Sequence, residues 1–180
     1  VVPVCQDVNF NAGGYMFFSP DTITLEDFNY IFPSFSFLGY LDLTCDHKIT
    51  VNNLNQLSLN ITNSGASNRS YKVWLDINND GIFDVSELLM NDSLSTNTLD
   101  SALIPGTTIT NKFLRCRIGI SDNTNSIQAC PTSTAFGTGY LDFSLKINCN
   151  VTSQFTTIDN SNGNYSFTNN STGNITQSHW

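Results

Sequence analysis

Three observations predict an all-β chain, a β-sandwich of two mostly antiparallel sheets with a β-rich C-terminal tail. Apolar residues alternate with polar ones in several short runs, as in Leu57, Leu59 and Ile61 or in Tyr71, Val73, Leu75 and Ile77. Short polar turns separate these runs and no long helical periodicity interrupts them. The composition is rich in residues that suit strands and turns, with 13 Phe and 6 Tyr beside 24 Asn, 20 Ser and 20 Thr in 180 residues. A half-apolar strand must cover its apolar face, and two sheets packed face to face do so.

Taken in order, strands are expected over 14–18, 23–28, 36–43, 48–51, 56–62, 71–77, 113–121 and 139–148. The Thr24-x-x-Asp27 spacing also suits a helix cap, but Ile23, Leu25 and Phe28 read as strand. After Cys149 the composition shifts: 19 of the last 30 residues are Ser, Thr, Asn or Gly. Within that stretch, 154–158 and 165–167 flank an Asn-rich turn containing Gly163, which predicts a short hairpin. The expected division is therefore a sandwich domain over 1–149 and an extension over 150–180. Phe155, Ile158, Tyr165 and Phe167 are the apolar anchors of the extension, available for assembly.

Charge excludes one class of partner. Seven basic against fifteen acidic residues leave a net charge of -8, so the chain lacks the basic footprint that nucleic acid requires. No apolar run is long enough to insert in a membrane. A start at Val1 rather than Met, with no signal-peptide pattern, fits a mature secreted protein. Sequons at Asn60, Asn68, Asn91, Asn150, Asn164, Asn169, Asn170 and Asn174 point to an extracellular or cell-surface glycoprotein. Cys5, Cys45, Cys116, Cys130 and Cys149 are too widely spaced for a zinc knuckle and form no Cys-x-x-Cys pair, so disulfides with one odd thiol are expected. Cys116 shares a strand face with Leu114, Ile118 and Ile120 and is expected to be buried.

The most specific chemical pattern runs from Asp76 to Glu87. Oxygen-bearing side chains fall at Asp76, Asn78 and Asp80, glycine follows at Gly81, the Ile82 carbonyl comes next, and Asp84 and Glu87 complete a twelve-position calcium loop. Glu87 is one of only two glutamates in the chain, the other being Glu26, which makes its place at the last ligand position telling. The flanking residues alternate as a strand, so the loop hangs from a sheet. A structural calcium is the expected cofactor.

The run Val73-Trp74-Leu75-Asp76-Ile77-Asn78-Asn79-Asp80-Gly81-Ile82-Phe83, followed by Glu87, resembles the first signature of the GEVED domain, a β-rich module of secreted and surface proteins. Gly139-Tyr140-Leu141-Asp142-Phe143-Ser144 is similar to the family's closing signature, keeping Gly139, Asp142 and an aromatic at Phe143 but neither glutamate. Gly39-Tyr40-Leu41-Asp42-Leu43-Thr44 and Arg115-x-Arg117 with Ser121 resemble two further elements, and the similarity spans about 5–149. The resemblance implies an adhesive or accessory role without catalysis. It also suggests a Cys5–Cys130 bond, leaving Cys45, Cys116 and Cys149 for one further bridge, with Cys149 alternatively stapling the tail.

Catalytic constellations are missing. His47 and His179 are the only imidazoles, and no nucleophile elbow, phosphate loop or histidine cluster occurs. His47 reads as a surface residue rather than a base. The expected function is an extracellular structural subunit that assembles with copies of itself into a filament or surface layer. The alternative is a calcium-dependent adhesion or carbohydrate-binding module that engages sugar or a surface receptor.

Overall fold

The computed structural model describes residues 20–32, 39–51, 56–64, 69–121, 127–130, 138–148 and 155–170. Strand β1 (Thr22–Leu25) turns at Glu26 into β2 (Phe28–Ile31). The sequence reads these as one strand over 23–28. The chain reverses because Glu26 takes a left-handed φ of 55° and is held there by β5 (Leu57–Thr62): its carboxylate accepts the Ser58 N–H at 2.7 Å. No helix forms at Thr24-x-x-Asp27.

The described strands fall into three sheets, not the two expected. β2, β1, β5 and β8 (Asn97–Ala102) make an antiparallel four-stranded sheet in that order. A six-stranded sheet runs β3 (Tyr40–Asp42), β10 (Thr138–Ile147), β9 (Phe113–Ser121), β6 (Arg69–Leu75) and β7 (Leu88–Leu94), with β4 (Lys48–Val51) also paired to β10. The third is the hairpin of β11 (Phe155–Asp159) and β12 (Tyr165–Asn169), whose strands pair with each other and with neither larger sheet. Its turn uses three consecutive left-handed residues, Ser161, Asn162 and Gly163. The strand expected over 14–18 lies outside the described residues, as do 36–38 of that expected over 36–43, whose remainder contains β3.

A single buried cluster joins the two large sheets and gives the sandwich-like core. Ile23, Leu25, Leu57, Leu59 and Ile61 from the four-stranded sheet meet Tyr71, Val73, Leu75, Leu114, Cys116, Ile118, Ile120, Leu141, Phe143, Leu145 and Ile147 from the other. Period-two alternation is visible in β5 but not in β9 or β10, which are buried on both faces. The reason is a second, smaller cluster on the outer face, where Trp74, Phe83, Ile127 and Tyr140 pack together. Gly119 makes room for it: a Cβ there would lie 2.7 Å from Ile127 Cγ2 and 2.9 Å from Tyr140 Cε1.

β3 and β4 are short, and they pair in parallel with successive halves of β10. The two similar segments Gly39-Tyr40-Leu41-Asp42 and Gly139-Tyr140-Leu141-Asp142 thus lie side by side, Tyr40 opposite Tyr140 and Asp42 opposite Asp142.

Candidate functional site

Loop 76–87 leaves β6 and returns through a single 3-10 turn, Val85–Glu87, into β7. Asp84 opens that turn, its Oδ1 accepting the Ser86 N–H at 2.7 Å, while Glu87 Oε2 accepts the Asp84 N–H at 3.1 Å in a reciprocal cap. The other Glu87 oxygen accepts the Ile77 N–H at 2.9 Å. At the opposite end, Asp76 Oδ1 accepts the Asp80 N–H and Oδ2 the Gly81 N–H, each at 3.1 Å. Gly81, at φ 86°, supplies the sharp turn that brings these amides inward.

Asp76 and Glu87 are both fully buried. Burial raises both carboxyls above their ordinary range, partly offset by their backbone hydrogen bonds, and acidic neighbours push the same way: Asp80 acts on Asp76, and Asp76 on Glu87. The remaining predicted ligands are hydrogen-bonded within the loop. Asp80 Oδ1 accepts the Ile82 N–H at 2.8 Å and its Oδ2 accepts from Asn78 Nδ2 at 2.9 Å. Asp84 is bound to Ser86, which holds its carboxyl below the ordinary range. Among the described residues, no group of three or more His, Cys, Asp or Glu side chains stands ready to hold a metal ion. The donor types suit a hard cation, and Asp76 and Glu87 are the two carboxylates of the loop that are fully buried.

A second polar centre lies on the outer face of the six-stranded sheet, where it brings together Asp42, Asp142, Arg115 and Arg117 of the signature segments. Asp142, fully buried, receives Arg115 Nε at 2.7 Å and both Nε and Nη2 of Arg117 at 2.7 Å. Arg115 Nη2 also reaches Asp42 at 2.8 Å, and the Tyr40 hydroxyl donates to Asp142 at 2.9 Å. Two guanidinium groups thus face two carboxylates. Desolvation raises Tyr40 and, with Asp142 beside it, keeps the phenol protonated. For Asp42, hydrogen bonds from Thr44 and the charge of Arg115 outweigh desolvation and hold the carboxyl below its ordinary range. The Arg117 guanidinium also lies 5.2 Å from the Phe83 ring centre, so this network supports the acidic loop from beneath.

Arg117 donates to the Ala129 carbonyl, Lys72 Nζ to that of Ile127 at 3.0 Å, and the Gln128 N–H to the Tyr140 hydroxyl at 3.3 Å. These contacts clamp segment 127–130 to the sheet. Cys130 is disulfide-bonded, whereas Cys45 and Cys116 are free thiols. Neither of those two therefore takes part in the further bridge expected above. Cys116 is buried between the sheets, where a bridge would need a partner in the core, and Cys45 stands exposed in a turn. Cys5 and Cys149 lie outside the described residues.

Of the predicted glycan acceptors, Asn91, Asn164 and Asn170 are exposed. Asn60 is half-buried in β5, and its Oδ1 is buried without a hydrogen-bond partner. The side chain of Asn169 and all of Asn68, Asn150 and Asn174 lie outside the described residues. His47 is half-buried against Phe28, with ring centres 4.9 Å apart, rather than standing on the surface. In the hairpin, Phe167 lies opposite Thr157 and Tyr165 opposite Asp159, which places Phe155, Phe167 and Tyr165 on one face and Ile158 on the other. All four are between 57 and 64 % exposed.

No curated protein and no solved structure matches the chain. A family model does, over residues 70–146. That stretch holds β6, the acidic loop, the Arg115–Arg117 pair and Asp142, while Asp42 and its strand lie before it. The match is to the GEVED domain, and the matched residues 70–146 carry both the loop and the arginine-bound aspartate.

Proposed function

We propose that this chain is a non-catalytic extracellular structural glycoprotein module that associates with copies of itself through hairpin β11–β12. One observation carries the reading: the hairpin joins neither large sheet, and it presents Phe155, Tyr165 and Phe167 on one face, each more than half exposed. A two-stranded hairpin is marginal by itself, and an exposed aromatic stripe is characteristic of an interaction surface. The disulfide at Cys130 supports an oxidising compartment. No helix among the described residues is long and apolar enough to cross a membrane. Exposed sequons at Asn91, Asn164 and Asn170 are the acceptors a glycan coat would use.

Within this reading, loop 76–87 carries a structural calcium. Asp76, Asn78, Asp80, Asp84 and Glu87, with the Ile82 carbonyl, would hold it. The cation would supply the charge that the buried Asp76–Glu87 pair lacks.

The same aromatic face also favours a second reading, adhesion, because rings spaced along one face of a sheet form a stacking platform for a sugar or a surface receptor. Replacing Phe155 and Tyr165 together by Ser separates the two. Loss of self-association supports assembly, whereas loss of binding to immobilised polysaccharide by a chain that is monomeric throughout supports adhesion.

A further inference from the structure

The sandwich has an exposed corner where the chain passes from one sheet to the other. Among the described strands, β7 is the outermost of the six-stranded sheet and β8 of the four-stranded sheet, and only Ser95 and Thr96 separate them. Such edges present unpaired N–H and C=O groups on which a foreign strand can add.

The ladders show which groups point outward. The Asp76 N–H donates to the Arg115 carbonyl at 2.9 Å, so alternate residues of β6 face β9, while Tyr71 and Val73 face β7; Asn91 and Ser93 of β7 then turn their backbone groups to the outside. The Asn63 N–H donates to the Thr96 carbonyl at 2.9 Å, which by the same alternation turns Asn97, Leu99 and Ser101 of β8 outward.

Several of these outward groups are already occupied by neighbouring side chains. Asp92 Oδ1 accepts the Ser93 N–H at 2.6 Å, and Asp100 Oδ1 accepts the Ser101 N–H at 2.7 Å. Ser95 Oγ donates to the Asn97 carbonyl at 2.8 Å. The other Asp100 oxygen takes the Tyr71 hydroxyl from the opposite sheet. Between these caps stands Leu99, 78 % exposed, an apolar side chain that would favour pairing if the edge were open.

We propose that Asp92 and Asp100 close this corner against strand addition by a second copy of the chain. Each carboxylate removes the donor an incoming carbonyl needs. The corner is thereby excluded from self-association, which the reading above assigns to the hairpin; the proposal does not depend on that reading.

The test compares the full chain carrying Asp92→Ala with Asp100→Ala, the same pair changed to Asn, and Tyr71→Phe. Asn keeps a carbonyl acceptor for the serine amides, and Tyr71→Phe removes the inter-sheet hydrogen bond without opening the edge. In the Ala pair, the Ser93 and Ser101 amides should exchange at least about tenfold faster in dilute solution. Sedimentation at rising concentration should show at least a doubling of mass over the unsubstituted chain, with new protection at Leu99. The Asn pair and Tyr71→Phe should sediment as the unsubstituted chain does. A folded Ala pair with unchanged mass would overturn the proposal. So would equal association of Tyr71→Phe, which would make lost stability the cause.

Discussion

Arg117 grips Asp142 from the directly opposite position on the neighbouring strand, Nε to Oδ1 and Nη2 to Oδ2, both at 2.7 Å. The aspartate is fully buried, and the arginine is 1 % exposed. A buried pair of this kind contributes modest net stability, because desolvation offsets most of the attraction, but removing one partner strands the other charge. Asp142→Asn should therefore destabilise the sandwich by about 3–5 kcal/mol. Urea unfolding followed by circular dichroism measures the loss, and a change under about 1 kcal/mol would mean that the arginines find other partners.

Gly119 tests the second cluster. A methyl group at this position meets Ile127 and Tyr140 at less than 3 Å, so Gly119→Ala should cost about 1–3 kcal/mol by overpacking. Heteronuclear spectra should place the largest shifts in 127–130. Unchanged stability would show that the segment lifts away at little cost.

Thiol chemistry distinguishes Cys45 from Cys116. Burial pushes the Cys116 thiol up to about 12, with the charge of Asp142 acting in the same direction, so almost no thiolate forms near neutral pH. A short pulse of iodoacetamide at pH 8 should label Cys45 in the native protein and Cys116 only after unfolding. Equal labelling of both would contradict the burial of Cys116.

Calcium should raise the melting temperature, since a ligand that binds only the native state stabilises it by roughly 2.7 kcal/mol at a hundredfold excess over its dissociation constant. Glu87→Gln should abolish most of that gain. Identical melting in millimolar calcium and in excess chelator would remove the metal from the account.

Alternation made β4 and β5 readable in the sequence because each has one face on the core with polar residues between, whereas β9 alternates in sequence although both of its faces are buried. β7 and β8 escaped notice for the opposite reason. Both lie at sheet edges, where Asn91, Asp92, Ser93, Asn97 and Ser101 face water and little apolar pattern survives. The Glu26 turn was hidden because its stabilising partner, the Ser58 amide, is 32 residues away. In the acidic loop, the spacing located the residues but not the backbone amides that Asp76, Asp80 and Glu87 accept. The arginine–aspartate centre was visible only as motif residues, since its assembly requires β3, β9 and β10 to be adjacent. The likeness of the segments at Gly39 and Gly139 was plain in the sequence, whereas their in-register parallel pairing is a property of the sheet.

The role of the hairpin as an assembly element is tested most directly by light-scattering mass as a function of concentration, for the full chain and for a chain ending at Cys149. The account predicts that mass rises with concentration only when residues 150–180 are present, while both chains keep the same β-sheet spectrum. Equal association of the shortened chain, or a full chain that stays monomeric at the highest concentration reached, would contradict it.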